Sequence, residues 1–286
     1  MNKANNYMYK DIQNILRNGY KDKNTRPKYK DGSPAYTYSV NHVTRKYDLS
    51  KGEFPICTLR PQAWRTGIKE IFTIYQKPTN VISEMETMGV NWWGDWDIGD
   101  GTIGHRYGYT VKAYDLVNKL INDIETDPYG RRKIMSLWQE KDLNETKGLA
   151  PCAFLTIWNV RDKYLDMCLI QRSGDMLTAS GAGGINEIQY VALLMMIARH
   201  TGYEAGVFTH FVANEQIYDR HIEQANAMLI RYKDKEWMEY EYNYEHVKPK
   251  LILNPKKTNF YDMTIDDFTM ENYEPIKPQL KLELGI

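Results

Sequence analysis

Cysteine is scarce in this chain. Cys57, Cys152 and Cys168 are an odd, scattered set that does not make a disulfide framework. Net charge is lacking too: 37 Lys and Arg balance 37 Asp and Glu. That balance gives no general hold on a polyanion, so neither nucleic acid nor an acidic membrane surface is expected as a partner. No run approaches the roughly 20 apolar residues of a membrane span. Residues 1–10 are polar, with no apolar signal core. The six histidines show neither HxxxH spacing nor a Cys/His pairing, so no metal is expected. A soluble cytoplasmic protein is the default that these absences leave.

What is present suits a globular enzyme. The 286 residues are 42% apolar and 26% charged, enough for a sizeable core. With no repeat and no low-complexity linker, one domain over 1–286 is expected. Ile12, Ile15 and Leu16 lie at helical spacing, and Trp64, Ile68, Ile71, Phe72 and Tyr75 form a second stripe with Glu70 among them. Residues 113–124, 185–200 and 217–230 read as further helices. Residues 21–34 read as loop and 91–109 as irregular. Strands are predicted over 36–47, 133–138, 154–160, 165–171 and 250–253. Thr264 with Asp267 resembles a capping box. Helices and strands mix without βαβ alternation, which predicts an α+β fold with a mixed sheet flanked by helices.

Several residue groups could carry chemistry. Cys152 follows Ala150-Pro151 at the mouth of a strand, and an ionised thiol is a strong nucleophile. Arg172, in Gln171-Arg172-Ser173-Gly174-Asp175, could lower its pKa. From position alone Cys152 reads more readily as a small core residue, the commoner fate of a lone cysteine. Arg131 and Arg132 follow the turn 127–130 and suit bidentate phosphate binding, or form a solvated pair. Asp175 could hold the N–H edge of a heterocycle, or cap a turn. Trp92, Trp93, Trp96, Tyr107 and Tyr109 could stack a flat ligand, or be core. Residues 180–184, Ser-Gly-Ala-Gly-Gly before a helix, have the look of a weak phosphate cradle.

The order of these groups is more telling than any one. DPYGRR (127–132), LAPC (149–152), QRSGD (171–175), NEIQY (186–190) and IYDRH (217–221) together resemble the thymidylate synthase family. WRTGIKE (64–70), WWGDW (92–96), DGTIGHRYG (100–108) and FYDMTIDDF (260–268) extend the resemblance over most of the chain. It implies a homodimer built through the sheet that methylates dUMP with 5,10-methylenetetrahydrofolate. Position by position, it implies that Cys152 attacks C6 of dUMP, and that Arg172, Ser173 and Arg26 hold the phosphate. Arg131 and Arg132 would reach into the partner's site. Asn186 would pair with the uracil edge, and Gln216 and Tyr218 would meet the ribose. Asp175 and Trp93 would hold the folate, Glu70 and Tyr107 would handle protons, and the terminal Ile286 would close over the folate. Arg60 aligns near the folate glutamate tail.

The chain also departs from the family pattern. Ala153 and Gln216 each stand where relatives carry His, Ala213-Asn214 replaces Gly-Asp, and the loop 178–184 is longer and richer in glycine. Two other readings share the resemblance. A nucleotide hydroxymethylase would add water instead of hydride at the last step; Asn186 points to dUMP rather than dCMP, and Trp93 with the apolar tail favours the synthase. A silent binding protein of the same fold is opposed by the joint presence of Cys152, Arg172, Asp175 and Asn186.

Overall fold

The computed structural model describes residues 1–242, 247–254 and 256–286. Its helices are α1 (Lys3–Asn18), α2 (Trp64–Ile71), α3 (Ile82–Thr87), α4 (Gly108–Ala113), α5 (Leu116–Thr126), α6 (Glu140–Glu145), α7 (Ile185–His200) and α8 (Ile222–Glu241). Its strands are β1 (Tyr20–Lys21), β2 (Thr37–Asp48), β3 (Ile134–Ser136), β4 (Ala153–Arg161), β5 (Tyr164–Gln171), β6 (Gly174–Asp175), β7 (Glu204–Tyr218), β8 (Lys250–Leu253) and β9 (Phe268–Glu271). No helix among the described residues is long and apolar enough to cross a membrane.

One mixed sheet organises the molecule, in the order β1-β2-β7-β5-β4-β3. All neighbours are antiparallel except β5 and β7, which run parallel. This is the α+β mixed sheet that the sequence implied. Along each strand, side chains alternate between a buried face and a half-exposed one. Trp158, Met167, Leu169 and Phe208 point inward and meet α7 in the main core. Helix α7 is apolar around most of its circumference, which is why it can run buried through the core. A second cluster seats α1 and α8 through Met8, Ile12, Ile15, Ala225 and Met228.

Two breaks in the sheet prepare the site. The chain leaves β5 at Gln171, crosses Arg172 and Ser173, and pairs again with β7 at Gly174. Arg172 and Ser173 are thereby lifted off the ladder. Opposite them, β4 begins with a bulge between Ala153 and Leu155, just after Cys152. The Arg172 N–H donates to the Cys152 carbonyl at 2.9 Å, so the two segments are tied at their ends.

The structure corrects the sequence reading at three places. Residues 204–218 form the longest strand, and the helix predicted from Ile217 begins only at Ile222. Polar His210 and Glu215 occupy inward positions on that strand and hide its alternation. The helix predicted over 113–124 is α5, which begins only at Leu116: Ala113 ends α4, and Asp115, with a φ of +52°, separates the two. The glycine loop is no phosphate cradle. Gly183 N–H is bonded to Glu187, and the N–H groups of Gly181 and Gly184 to backbone carbonyls. A Cβ on Gly183, at φ +65°, would lie 2.2 Å from the Cys57 nitrogen, so this turn is packed against the core.

Candidate active site

Cys152 lies at the rim of a cleft of about 300 Å³, lined by Arg26, Trp138, Leu149 and Arg172 among others. Its Sγ is 3.5 Å from Arg172 Nη2. Arg172 also donates to the carbonyls of Pro151 at 3.0 Å and Ala150 at 2.7 Å, which fixes its guanidinium beside the thiol. The net effect differs from the sequence expectation. Burial pushes the thiol above its ordinary pKa, and the charges of Arg172 and Arg26 only partly offset this. Behind the cysteine, its own N–H donates to the Tyr107 hydroxyl at 3.2 Å. Tyr107 has a φ of +49°, a costly conformation for a tyrosine, held by the packed Trp93 ring 5.1 Å away.

Glu70 is brought in by close helix packing. Gly67, one turn earlier on α2, lies against Ile185 of α7, where a Cβ would sit 3.3 Å from a methyl group. Its carboxylate accepts from the indoles of Trp92, at 2.6 Å, and Trp93, and from the amide of Gln189. Burial raises the Glu70 pKa, and those three donors do not fully restore it. Gln189 in turn accepts from Asn186 Nδ2 at 3.0 Å. Asn186 Oδ1 accepts from Gln171 Nε2 at 3.3 Å, and Gln171 Nε2 also donates to the Ser173 carbonyl at 3.0 Å.

The same line continues beneath the sheet. Gln171 Oε1 lies 3.0 Å from His210 Nε2, and His210 Nδ1 lies 3.0 Å from Glu187 Oε1. Fully buried Arg45 binds Asp11 at 2.7 Å, Glu215, Glu187 at 3.5 Å and the Ser180 carbonyl at 3.0 Å. Burial would raise Glu187, but His210 and Arg45 outweigh it and hold the carboxyl below its usual range. Burial lowers His210, with Glu187 opposing.

Asp175 caps the π-helical turn Met176–Ser180, accepting from Thr178 N at 3.4 Å and from its hydroxyl. Burial raises its carboxyl, against the pull of nearby His221 and Arg60. Arg60 is buried and donates to the carbonyls of Leu177 and of Thr178, the latter at 3.2 Å. The C-terminus closes this side. Ile286 and Lys28 exchange two backbone bonds of 2.8 and 2.9 Å, which strap the tail to the loop that carries Arg26. Tyr218 OH donates to the Gly285 carbonyl at 3.4 Å. Gln216 lies on β7, level with Asp175 of β6.

Cys152, Arg172, Ser173, Asn186, Glu70, Tyr107 and Trp93 thus converge through direct or one-step contacts. Arg26, Asp175, Tyr218 and Ile286 border them on the tail side. Arg131 and Arg132 are not brought in: both are exposed on the turn before edge strand β3, which buried Lys133 staples by donating to Gly130 O at 2.6 Å. Sequence reasoning missed Gln171, Gln189, Glu187, His210 and Arg45. Two of them left a signal, because Glu187 and Gln189 are polar residues inside an otherwise apolar helix. Ala153 is buried, and its carbonyl accepts from the Tyr190 hydroxyl at 3.3 Å. Among the described residues no group of three or more His, Cys, Asp or Glu is placed to hold a metal ion.

The family model of thymidylate synthase matches residues 6–286. The chain is 47% identical to a thymidylate synthase of Lactococcus lactis subsp. cremoris over 100% of both chains. It is 45% identical to one of Streptococcus pneumoniae, again over 100% of both. The solved structure of the thermostable thymidylate synthase A from Bacillus subtilis superposes with a TM-score of 0.86, at 32% identity and over 99% of each chain.

Proposed function

The chain belongs to the thymidylate synthase family, and from that premise we propose how its residues divide the work. The reaction converts dUMP to dTMP, with 5,10-methylenetetrahydrofolate giving a carbon and a hydride and leaving as dihydrofolate. The observation that carries the assignment is the Cys152 thiol, 3.5 Å from Arg172 in a cleft backed by the Asn186–Gln189–Glu70 line.

C5 of uracil is a weak nucleophile. Thiolate addition from Cys152 to C6 moves an electron pair toward O4 and makes C5 an enolate carbon. Asn186 has one Nδ2 hydrogen and one Oδ1 lone pair left for the base, matching uracil O4 and N3–H. Arg172, Ser173 and Arg26 take the phosphate, and Tyr218 and Gln216 the ribose. Once C5 has bonded to the one-carbon unit, its proton must leave. Glu70, with its raised pKa, and Tyr107 organise that transfer. Loss of that proton breaks the bond between the one-carbon unit and the folate nitrogen and leaves a methylene on C5. Hydride from the folate then adds to this methylene, and the returning electron pair expels the Cys152 thiolate from C6. Trp93, Asp175 and the Ile286 tail hold the folate and exclude water. Arg60, committed to the Asp175 turn, shapes that wall.

The working unit is a homodimer of single-domain subunits in the cytoplasm, where the three free cysteines stay reduced. The sheet supports this. Its outer face presents half-exposed Leu155, Ile157, Cys168, Ile170, Val207 and Phe211, an apolar surface that a second sheet would cover. Arg131 and Arg132, exposed and outside their own cleft, are free to complete the partner's site.

The test mixes two inactive proteins, Cys152→Ser and the double variant Arg131→Ala, Arg132→Ala. Exchange of subunits should restore dihydrofolate formation, because a hybrid dimer holds one intact site. Activity that stays absent in proven hybrids would refute the shared site. The mass of the nucleotide product should correspond to a methyl group; one oxygen more would mean hydroxymethyl transfer.

A further inference from the structure

We propose that His210, braced by Glu187 and Arg45, is a positioning residue that locks the Asn186 amide in the orientation that accepts uracil and refuses cytosine. The proposal rests on the reading above that Asn186 pairs with the base.

An amide is nearly symmetric in shape, so its two ends must be told apart by their partners. The Ser173 carbonyl can only accept. It therefore fixes Gln171 Nε2 toward itself, at 3.0 Å, and turns Gln171 Oε1 toward His210 Nε2, also at 3.0 Å. His210 Nε2 must then carry a hydrogen. The other ring nitrogen faces Glu187 Oε1 at 3.0 Å, so with Nε2 protonated that contact needs a proton of its own, and the ionised Glu187 must keep the ring charged against the burial that lowers it. Glu187 cannot turn aside, because its Oε2 accepts from Gly183 N–H at 2.7 Å. Around the pair stand Arg45, Asp11, Glu215 and Tyr47, with Arg45 tied to all three carboxylates.

The order passes forward without a gap. Gln171 Nε2 meets Asn186 Oδ1 at 3.3 Å, and Asn186 Nδ2 meets Gln189 Oε1 at 3.0 Å. What remains of Asn186 is a donor beside an acceptor, in the sense that fits O4 and N3–H. Cytosine presents an acceptor at N3 and a donor at N4, and would need the amide reversed. The two ends of the line are not equivalent. A protonated Glu70 could donate to Gln189 and tolerate reversal, whereas the Ser173 carbonyl could not. A proton arriving at Glu70 during turnover therefore leaves base recognition undisturbed, because Gln171 at the other end is oriented by the Ser173 carbonyl and held in that orientation by His210.

The experiment compares competitive inhibition by dCMP with kcat/KM for dUMP, in full-length protein. His210→Phe should lower kcat/KM for dUMP and shrink the dUMP preference by about tenfold or more, with KM for the folate little changed. Glu187→Gln should keep the preference, since its amide can donate to His210 Nδ1 while its oxygen still accepts from Gly183. A folded His210→Phe protein with an unaltered preference would overturn the proposal. If that variant does not fold, nitrogen NMR of ¹⁵N-histidine in the parent protein decides: Nε2 protonated at pH 7 supports it, and a bare Nε2 overturns it. Asn186→Ala separates the premise from the inference. Should Asn186→Ala leave the preference intact, base reading by Asn186 fails and this proposal with it. Should it abolish the preference while His210→Phe retains it, only the role of His210 falls.

Discussion

The floor and the roof of the cleft are held by opposite means. The floor runs from Glu70 to Arg45 through buried hydrogen bonds, most of them between side chains on different elements. The roof is the C-terminal strap. It is held by two backbone bonds between Ile286 and Lys28, and by Arg220, which bridges Asp31 at 2.7 Å and Glu283 at 2.9 Å in the open. In a low-dielectric interior a missing partner is expensive, so the floor has in effect one arrangement. Exposed ion pairs are weak and screened, so the roof can open and close cheaply. The contrast suits a site whose recognition groups stay fixed while a bulky cosubstrate enters and leaves.

The harshest way to break the contrast is to remove the cation beneath the floor. Arg45→Met leaves Asp11, Glu187 and Glu215 without their shared partner and should cost about 3–5 kcal/mol of stability. Burial already raises Glu215 to about 7 despite Arg45. In the variant the folded state would bind protons more tightly still, so its deficit should be larger at pH 8 than at pH 6. Thermal unfolding across that range checks both the size and the sign. A loss that is small and independent of pH would mean the floor is less rigid than its geometry implies.

Removing one residue from the roof should give the reverse pattern. Deletion of Ile286 takes away both backbone bonds to Lys28. Turnover should fall by about tenfold or more, through poorer closure over the folate. The melting temperature should move by no more than about 2 °C. A protein that melts far lower yet turns over normally would make the tail a structural clasp and nothing more.

The thiol can be probed where floor and roof meet. Because its pKa is raised, a smaller fraction of Cys152 is thiolate at pH 7 than of an ordinary cysteine. Its alkylation by iodoacetamide should therefore climb by about tenfold per pH unit and level off only above roughly pH 8.5. Arg172→Gln removes the nearer opposing charge and should delay that plateau further. A plateau below pH 8 would show that the arginines outweigh burial.

Legibility from sequence follows the same division. Cys152, Arg172 and Asn186 stand in local strings whose order was informative, and the helices carrying Glu70 and Asn186 announced themselves by apolar spacing. The floor behind them was hidden. His210 and Glu215 occupy inward strand positions that periodicity expects to be apolar, and Arg45 is a charge buried by contacts to residues 34, 142 and 170 positions away. Such a cluster is paired only in three dimensions, so each member looks like surface when read alone. The tail strap was hidden for another reason: backbone pairing between Lys28 and Ile286 depends on proximity and leaves little mark on side-chain type.

The mildest test concerns Arg220 alone. Its guanidinium lies over the Tyr29 ring, 4.0 Å from the centroid, while bridging Asp31 and Glu283. Ser33, with help from Arg220, holds the Asp31 carboxyl well below its usual range. Both ion-pair partners are exposed, so solvent and salt screen them. Arg220→Ala should shift the melting temperature by about a degree or less at low salt, and the shift should vanish in about 1 M salt. If KM for the folate rises in the same variant at low salt and returns toward parent as salt is added to both, the bridges set how often the strap is closed. If KM ignores salt, closure rests on the backbone pair and the Tyr218 bond to Gly285, and Arg220 only decorates the roof.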